Sequence, residues 1–498
     1  MLQFATEAFF GVLTPVNLLA SLGGVLFGLF VGSTPGLTIT LGMVLLLPVT
    51  FAMDPITSIS LLLGAFISGM TGGSISAILL NIPGTPSASA TAMAGHKMAR
   101  RGETESALGT AVTSSFFGAL VSLAVLVLVA PTVARAALNF GEAELAALVF
   151  LGLTLISSFG QKSMIKGLMS GALGLTITTI GLDPIMGRPR FTFGMVELQS
   201  GISFLPVMIG LFAIPQILNG LIIKSNVIPK VEGKIRGVFS HVRNVFKYLR
   251  YKVVSALIGT GVGAIPGAGG PIAVFLAYDV ARRMTPKEER EAYDNGNEIG
   301  VAAPEAANNG INGGVLIPML TLGIPGDPIS AILLGALMIQ GVTPGPLLFT
   351  NNPVFIYSVF WSFLVGAVLV LFVTLISMRV WVAVLQIPRW ILLPIISVFC
   401  VVGTFSLRNS FWDTGIMLVF GLLGFLMLRF GFPVVPMLLA IVLGPAFEQH
   451  VRLALITSNG DPSIFVTKPI SLVFVLVAAF VFLSPIIRGI IEKRKETT

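Results

Sequence analysis

The feature that most constrains this chain is residues 72–91, GGSISAILLNIPGTPSASAT, where an apolar run is interrupted by Pro83-Gly84 and restarts at Thr85-Pro86. Irregular backbone at membrane depth is tolerated only where protein or a water-filled cavity satisfies its polar groups. Thr followed by Pro is typical of an N-cap and a first helical position. A half-helix starting there would aim free N–H groups at the interruption, so the stretch predicts a broken helix at a binding site.

The same pattern occurs again in the second half of the chain. Residues 313–331, GGVLIPMLTLGIPGDPISA, repeat the order of Gly-Gly, apolar run, Ile-Pro-Gly, a capping residue and Pro. A second pair of motifs lies upstream, because GLFVGSTPG at 28–36 matches GTGVGAIPG at 259–267. Paired Gly/Pro-interrupted apolar segments in two halves are the best sequence pointer to the binding site of a transporter.

Composition limits the class of protein. The 498 residues are 55% hydrophobic and only 10% charged, which indicates an integral membrane protein with several spans. The single cysteine, Cys400, and three scattered histidines, His96, His241 and His450, predict no disulfide framework and no metal site. We find no nucleophile with a base in reach and no nucleotide-binding loop, so we expect no enzyme, no catalytic residue and no cofactor apart from Na⁺ as a coupling ion.

The basic residues indicate orientation rather than nucleic-acid binding. Most of the 30 Lys and Arg fall on one side when the apolar segments are threaded through a bilayer, and this becomes the cytoplasmic side. The N-terminus is then periplasmic and the C-terminus cytoplasmic. Basic residues follow the first interruption, whereas they precede the second one. This opposite arrangement in the two halves favours an inverted-topology repeat.

The predicted fold class is an all-α integral membrane protein, an elevator-type transporter built from an inverted repeat with re-entrant helical hairpins and broken helices. The hairpins are the preferred interpretation of the Pro-Gly segments, and two full spans joined by an aqueous turn are the alternative. The first predicted domain is a repeat at 1–223, with a hairpin at 16–53, a broken helix at 56–95 and scaffold helices at 105–223. A basic cytoplasmic amphipathic linker follows at 224–252. The last predicted domain is a second repeat at 253–498, with a hairpin at 253–282, a broken helix at 298–341 and scaffold helices at 354–487.

Two hairpin tips, 33–38 and 264–271, and two breaks, 81–89 and 323–330, are expected to meet near the bilayer midplane. Their chemistry is backbone N–H, hydroxyl and amide, which suits a carboxylate, while unwound carbonyls beside Asn and Thr suit Na⁺. The predicted substrate-binding residues are Ser33, Thr34, Pro35, Gly36, Thr38, Asn81, Pro83, Gly84, Thr85, Ser87, Pro266, Gly267, Gly269, Gly270, Asn308, Asn309, Pro325, Gly326 and Ser330. The predicted ion-coupling residues are Asn81, Glu305, Asn309, Thr321 and Asp327.

Simpler structural roles compete with these assignments. Glycines such as Gly28 and Gly32 often serve only close helix packing. Hydroxyls in membrane helices usually bond their own backbone. Glu298 could be solvated at the cytoplasmic end, and Asp327 could be only a helix N-cap.

At these residues the sequence resembles the large membrane subunit of the tripartite tricarboxylate transporters, the TctA family. The motifs that carry the resemblance are GSTPGLT, GGSISAILLNIPGTPSASAT, MARRG with ALG, GAIPGAGG, EIGVAAPEAANNGINGG and LGIPGDPISAILLGALMIQGVTPGP. One departure is Ala94-Gly95, where family members commonly have Asp-Gly.

The resemblance implies uptake of small carboxylates across the bacterial inner membrane, energised by an ion gradient. It also implies two partners, a periplasmic solute-binding protein and a small four-helix membrane subunit, while a homodimer is left open. An ion channel built on paired re-entrant segments is the alternative function, and a multi-pass membrane enzyme is a weaker one.

Overall fold

The structure is a computed structural model that describes residues 2–34, 36–157, 164–222, 239–267, 269–385 and 387–496. Nearly all of its regular structure is helical. In the first half the α-helices are α1 Leu2–Val12, α2 Pro15–Ser33, α3 Ile39–Thr50, α4 Pro55–Leu80, α5 Ser89–Arg100, α6 Thr104–Ala137, α7 Glu142–Ser157, α8 Met164–Thr178 and α9 Phe204–Ile222. In the second half they are α10 Leu249–Gly263, α11 Gly270–Met284, α12 Arg290–Asp294, α13 Glu298–Leu322, α14 Pro328–Ile339, α15 Leu348–Asn351, α16 Pro353–Ile376, α17 Met378–Val384, α18 Arg389–Ser406, α19 Phe411–Arg429, α20 Val434–Thr457, α21 Ile464–Thr467 and α22 Pro469–Glu496.

Short elements complete the described chain. Three 3₁₀ helices occupy Pro86–Ala88, Phe239–Phe246 and Lys287–Glu289. Two strands, β1 Gly181–Leu182 and β2 Pro189–Arg190, pair antiparallel in the loop between α8 and α9.

Within the described residues, seven helices are long and apolar enough to cross a bilayer: α2, α4, α6, α9, α16, α19 and α20. This confirms that the chain is an essentially all-α, multi-pass membrane protein. The helices α3 and α14 have 12 residues each and extend only about 18 Å, which is shorter than a hydrocarbon core of about 30 Å. That length is compatible with the predicted hairpin and half-helix, which stay predictions.

The chain forms two compact units, and both are discontinuous in sequence. The first comprises Met1–Ala134 with Gln216–Gly403, and the second comprises Arg135–Pro215 with Thr404–Thr498. Each unit takes segments from both predicted repeats, since compactness and internal symmetry are separate properties. The division into repeats at 1–223 and 253–498 therefore stays a prediction.

In the first unit, glycines let helix backbones touch. A Cβ added to Gly28 of α2 would lie 2.2 Å from the carbonyl oxygen of Ala65 in α4, and one added to Gly32 would lie 2.3 Å from that of Gly69. The helices α10 and α13 are joined in the same way, because a Cβ on Gly259 would lie 2.1 Å from the Ala307 oxygen. Close packing of small residues is thus a role that Gly28 and Gly32 fill.

The second unit is helical, and ion pairs hold one of its loops. In it α20 packs on α7 and α8, and α22 packs on α7. Beside the two-stranded ribbon, Arg452 pairs with Asp183 at 2.7 Å, and Arg190 pairs with Glu448 at 2.6 Å. The hydrogen bond from Arg452 holds the pKa of the Asp183 carboxyl well below its usual range. The loop between α8 and α9 is therefore anchored to α20 by ion pairs.

The predicted basic linker at 224–252 is only partly described, and residues 223–238 lie outside the described chain. Within it, residues Phe239–Phe246 form a 3₁₀ helix. The Lys252 side chain is 1% exposed and donates to the carbonyl oxygens of Asn244 and Val245, both at 3.0 Å. Its ammonium group thus stabilises the end of that 3₁₀ helix.

Candidate functional site

The first break folds back onto the helix it leaves. Helix α4 is followed by its C-cap Asn81, whose backbone is left-handed (φ 54°), a conformation that Asn tolerates better than most residues. The Gly84 N–H then donates to the Gly73 carbonyl oxygen at 3.2 Å. A Cβ on Gly84 would lie 2.0 Å from the Gly32 oxygen, so this break also touches the end of α2. The glycines at these three positions make that approach possible.

The second break is similar to the first in its left-handed cap and its glycine contacts. Helix α13 ends at Gly323, which is also left-handed (φ 69°). The Gly267 N–H donates to the Gly326 carbonyl oxygen at 3.1 Å. A Cβ on Gly326 would lie 2.9 Å from the Gly263 oxygen at the end of α10. In each half, therefore, the predicted break contacts glycine backbone at or next to the predicted hairpin tip.

The two halves also contact each other at these elements. A Cβ on Gly270, the first residue of α11, would lie 3.1 Å from the Cβ of Ser87 in the 3₁₀ turn that follows the first break. Helix α14, which follows the second break, packs against α3, which belongs to the first predicted hairpin. The structure thus brings the second predicted tip to the first break, and it brings the segment of the first predicted hairpin to the helix after the second break.

Several predicted hydroxyls are bonded to their own backbone. Ser33 Oγ donates to the Leu29 carbonyl oxygen at 2.6 Å, Thr34 Oγ1 to that of Phe30 at 2.6 Å, and Thr321 Oγ1 to that of Ile317 at 2.7 Å. Thr38 caps α3 by accepting from Leu41 N at 3.2 Å. The donor hydrogens of Ser33, Thr34 and Thr321 are therefore engaged, whereas the hydroxyl of Thr38 uses a lone pair in the cap and keeps its donor hydrogen.

Other predicted residues differ in accessibility. Thr85 and Ser87 are buried, and their hydroxyl oxygens lie 3.3 Å apart. The Asn81 side chain is exposed, as is Gly36 at the first tip, while Pro325 and Gly326 are buried in the second break. Among the flanking residues, Pro83, Pro266, Gly267 and Gly269 are partly exposed. Pro35 lies outside the described residues.

Asp327 is the N-cap of α14. Its Oδ1 accepts from Ser330 N at 2.7 Å, and its own N–H donates to Ser330 Oγ at 2.9 Å, which completes a capping box. The capping role that the sequence left open is therefore present. It satisfies backbone donors at the start of a buried half-helix.

We expect Asp327→Ala to destabilise the protein by about 0.5–2 kcal/mol and to lower transport, because the cap is lost. Asp327→Asn keeps an acceptor oxygen and is expected to retain most of both. Thermal unfolding and uptake would be measured on both variants, with Ser330→Ala as a milder control. Wild-type stability with abolished transport in Asp327→Asn would contradict a purely capping role.

Acidic residues on α13 occupy two different environments. Glu298, at its first residue, pairs with Lys247 Nζ at 2.5 Å and accepts from the Tyr248 hydroxyl at 2.8 Å. Glu305 is fully buried and accepts from Thr91 Oγ1 at 2.5 Å and Ser115 Oγ at 2.8 Å. Within the described chain, no Lys, Arg or His forms an ion pair with Glu305. A buried ionisable group in a membrane helix is a functional candidate.

The asparagines predicted beside Glu305 are also fully buried. Asn308 Nδ2 donates to the Met70 carbonyl oxygen at 3.2 Å. Asn309 Oδ1 accepts from Thr71 Oγ1 at 3.3 Å and from Asn312 Nδ2 at 3.2 Å. These amides connect α13 to the middle of α4, which is the helix that carries the first break.

Sequence reasoning missed three side chains that bind predicted residues. Thr91 and Ser115 contact Glu305, and Gln216 of α9 donates through Nε2 to the Gly36 carbonyl oxygen at the first tip. Thr91 closes the repeated stretch 72–91, which is a signal that could have found it. A lone Gln in an apolar helix was the corresponding signal for Gln216.

Taken together, the apolar helices and the two glycine-lined breaks define a multi-pass membrane protein organised around paired broken helices. The sequence matches the family described as the tripartite tricarboxylate transporter TctA family over residues 18–439. The chain belongs to this family and is thus a component of a tripartite tricarboxylate transporter.

Two similar proteins come from Agrobacterium vitis. One, named "Uncharacterized 52.8 kDa protein in TAR-I ttuC' 3'region", is 38% identical over 460 residues, which cover 92% of this chain and 91% of the relative. The other, named "Uncharacterized protein in TAR-II ttuC' 3'region", is 39% identical over 213 residues, which cover 43% of this chain and 87% of that protein.

Proposed function

We propose that this chain is the translocating subunit of a secondary transporter that imports small tri- or dicarboxylates, driven by a Na⁺ or H⁺ gradient. The family supports a role in transport. The observation that carries the finer proposal is the pairing of each tip with a break, through the contact of Gly84 with Gly32 and the hydrogen bond from Gly267 to Gly326. Such interrupted segments occur in transporters where substrate and ions bind.

The substrate carboxylate would be held by backbone and hydroxyl groups. No Lys or Arg occurs in the tips or the breaks, so no basic side chain there can neutralise an anion. The buried hydroxyls of Thr85 and Ser87 lie at the first break, shortly before α5 begins, whereas the Asp327 carboxylate already caps the start of α14. Helix N-termini carry a partial positive charge, which suits a carboxylate.

The proposed mechanism is alternating access of an elevator type, in which the motif-bearing elements of two inverted repeats move against a scaffold of the remaining helices. Every tip and every break belongs to the first compact unit, which supports a transport role for that unit and a scaffold role for the other. The matching helix pairs α2 with α4 and α10 with α13 support the repeat. The ion-coupling candidates from the sequence are Asn81, Glu305, Asn309, Thr321 and Asp327, of which Thr321 and Asp327 are engaged in the helix and cap contacts described above.

The proposed setting is the bacterial inner membrane, with the N-terminus periplasmic and the C-terminus cytoplasmic. A small membrane subunit and a periplasmic solute-binding protein would be the partners, as the family supports. The binding protein would deliver the carboxylate to the periplasmic side. The excess of Lys and Arg in one set of loops supports this orientation.

Uptake by proteoliposomes tests this proposal. The vesicles would contain this chain, its small membrane subunit and its binding protein, and labelled citrate and a panel of dicarboxylates would be offered with and without inward Na⁺ and pH gradients. We expect saturable uptake that needs the binding protein and one of the gradients, and vesicles without the binding protein are the control. Ion currents with no saturable carboxylate uptake would contradict the proposal and favour a channel.

A further inference from the structure

Helix α13 carries a buried polar stripe well before its end at the second break. Glu305, Asn308 and Asn312 are spaced by three and four residues, so they lie on one face of the helix. All three side chains are 0% exposed. A stripe of this polarity is costly inside a membrane protein unless its groups find partners or a ligand.

The carboxylate at one end of the stripe has hydroxyl partners but no countercharge. Glu305 accepts from Thr91 and Ser115, at 2.5 and 2.8 Å, and those side chains come from α5 and α6. In the part of the chain that the structure describes, no cationic side chain lies within ion-pair distance of it. An ionised carboxylate in this position calls for a cation or a proton.

The amides at the other end of the stripe have unpaired oxygens. The Nδ2 group of Asn308 is bonded to the Met70 oxygen, and that of Asn312 is bonded to Asn309 Oδ1, both at 3.2 Å. Asn308 Oδ1 and Asn312 Oδ1 are buried and have no hydrogen-bond partner. Buried polar atoms without a partner are rare, and an ion or a water is the common explanation.

We propose that this stripe is a Na⁺ site, with Asn308 Oδ1 and Asn312 Oδ1 as ligands and Glu305 as the compensating charge. Side chains four apart on a helix have Cβ atoms about 5–6 Å apart, so both amide oxygens can reach one ion. Oxygen-only donors select a hard cation, and a single carboxylate balances one positive charge. This inference rests on the proposed function, for which it names the coupling ion and its ligands.

The same contacts argue against the second break as the ion site. Thr321 Oγ1 is bonded within its helix, and the Asp327 carboxylate is used in the cap of α14. On α13, in contrast, two amide oxygens are unpartnered beside a carboxylate without an ion pair. The sodium ligands are therefore assigned to the middle of α13, which packs on α4 and α5 on either side of the first break.

The test is Na⁺ binding by the purified full-length chain, measured without transport. Thermal unfolding in NaCl, KCl and choline chloride at equal ionic strength gives the specific stabilisation, and binding of radioactive sodium to the wild-type protein gives a direct readout. We expect Na⁺ alone to raise the Tm, and we expect Glu305→Gln and Asn312→Leu to weaken Na⁺ affinity at least about tenfold.

Asn17→Leu is the matched control. Asn17 is a buried amide of α2 that accepts from Thr57 Oγ1 at 2.5 Å, so its loss removes a hydrogen bond elsewhere in the same unit. This variant is expected to unfold at a lower temperature and to keep the full Na⁺ response. If Asn312→Leu fails to fold, Glu305→Gln still tests the site, because this near-isosteric substitution retains the shape of the side chain.

The outcomes separate this inference from the proposed function. Wild-type protein with no Na⁺-specific stabilisation and no sodium binding would overturn the site, even if uptake is driven by a pH gradient. Unchanged Na⁺ affinity in both site variants would also overturn it. Sodium binding that is weakened by the two stripe substitutions, together with no carboxylate uptake, would support the site and reject the transport proposal.

Discussion

Replacing Gly84 by alanine is expected to reduce carboxylate uptake about 100-fold while the protein still folds, since a displacement of about 1 Å at a site can have an effect of this size. The added Cβ would lie 2.0 Å from the Gly32 carbonyl oxygen and 2.8 Å from Ser76 Oγ. Gly84 is not in the left-handed region, so alanine is excluded by contact and not by backbone strain. The break must then move away from the end of α2.

The measurement is initial-rate uptake in proteoliposomes, with size-exclusion profiles to confirm folding. Gly171→Ala in α8 is the control, because a Cβ there would meet nothing within 4 Å. Wild-type rates in Gly84→Ala would show that the contact between the first tip and the first break is not needed for transport.

Two glycines of α10 offer a matched pair for stability. A Cβ on Gly259 would lie 2.1 Å from the Ala307 oxygen, and one on Gly261 would meet nothing within 4 Å. Gly259→Ala is expected to destabilise the protein by about 1–3 kcal/mol or more, because two helix backbones must separate. Gly261→Ala is expected to be neutral or to stabilise by up to about 1 kcal/mol through helix propensity.

Thermal unfolding of the purified variants measures this difference. Because the two substitutions are the same and lie two residues apart, effects of detergent and of composition cancel. Equal stabilities would contradict the close contact between α10 and α13. A loss in Gly259→Ala alone would support backbone packing as the principal contact in that helix pair.

Much of the helical framework could be predicted because local chemistry determines it. The predicted break after residue 80 agrees with the end of α4 at Leu80, since Pro83 lacks a backbone N–H and disfavours helical backbone before it. The type of helix in the linker was harder to predict, because the spacing of its apolar residues does not distinguish an α-helix from the 3₁₀ helix Phe239–Phe246. The limits of such prediction lie where tertiary contacts outweigh local preference.

The candidate site was predicted less completely, for physical reasons. Glu305 is recognisable as an acid in an apolar segment, but Thr91 and Ser115 reach it from 214 and 190 residues away. A single sequence does not show which residues far apart along the chain contact each other in the fold. Conversely, Ser33 and Thr321 were predicted as ligands from their location. In the structure each hydroxyl donates to a carbonyl oxygen one turn earlier in its own helix. Whether their lone pairs contact substrate stays a prediction.

The unequal exposure of the two breaks has a consequence for selective inhibition. In the first break Ile82 is 45% exposed, whereas in the second Ile324 is 2% exposed. A molecule that binds the first break recognises the conformation in which that break is exposed. In the proposed cycle this binding surface would be lost when the two halves exchange their exposed and buried states. A ligand that binds one conformation better shifts the population toward it. A compound or nanobody directed at Asn81 and Ile82 would thus arrest the protein in one state without resembling a carboxylate.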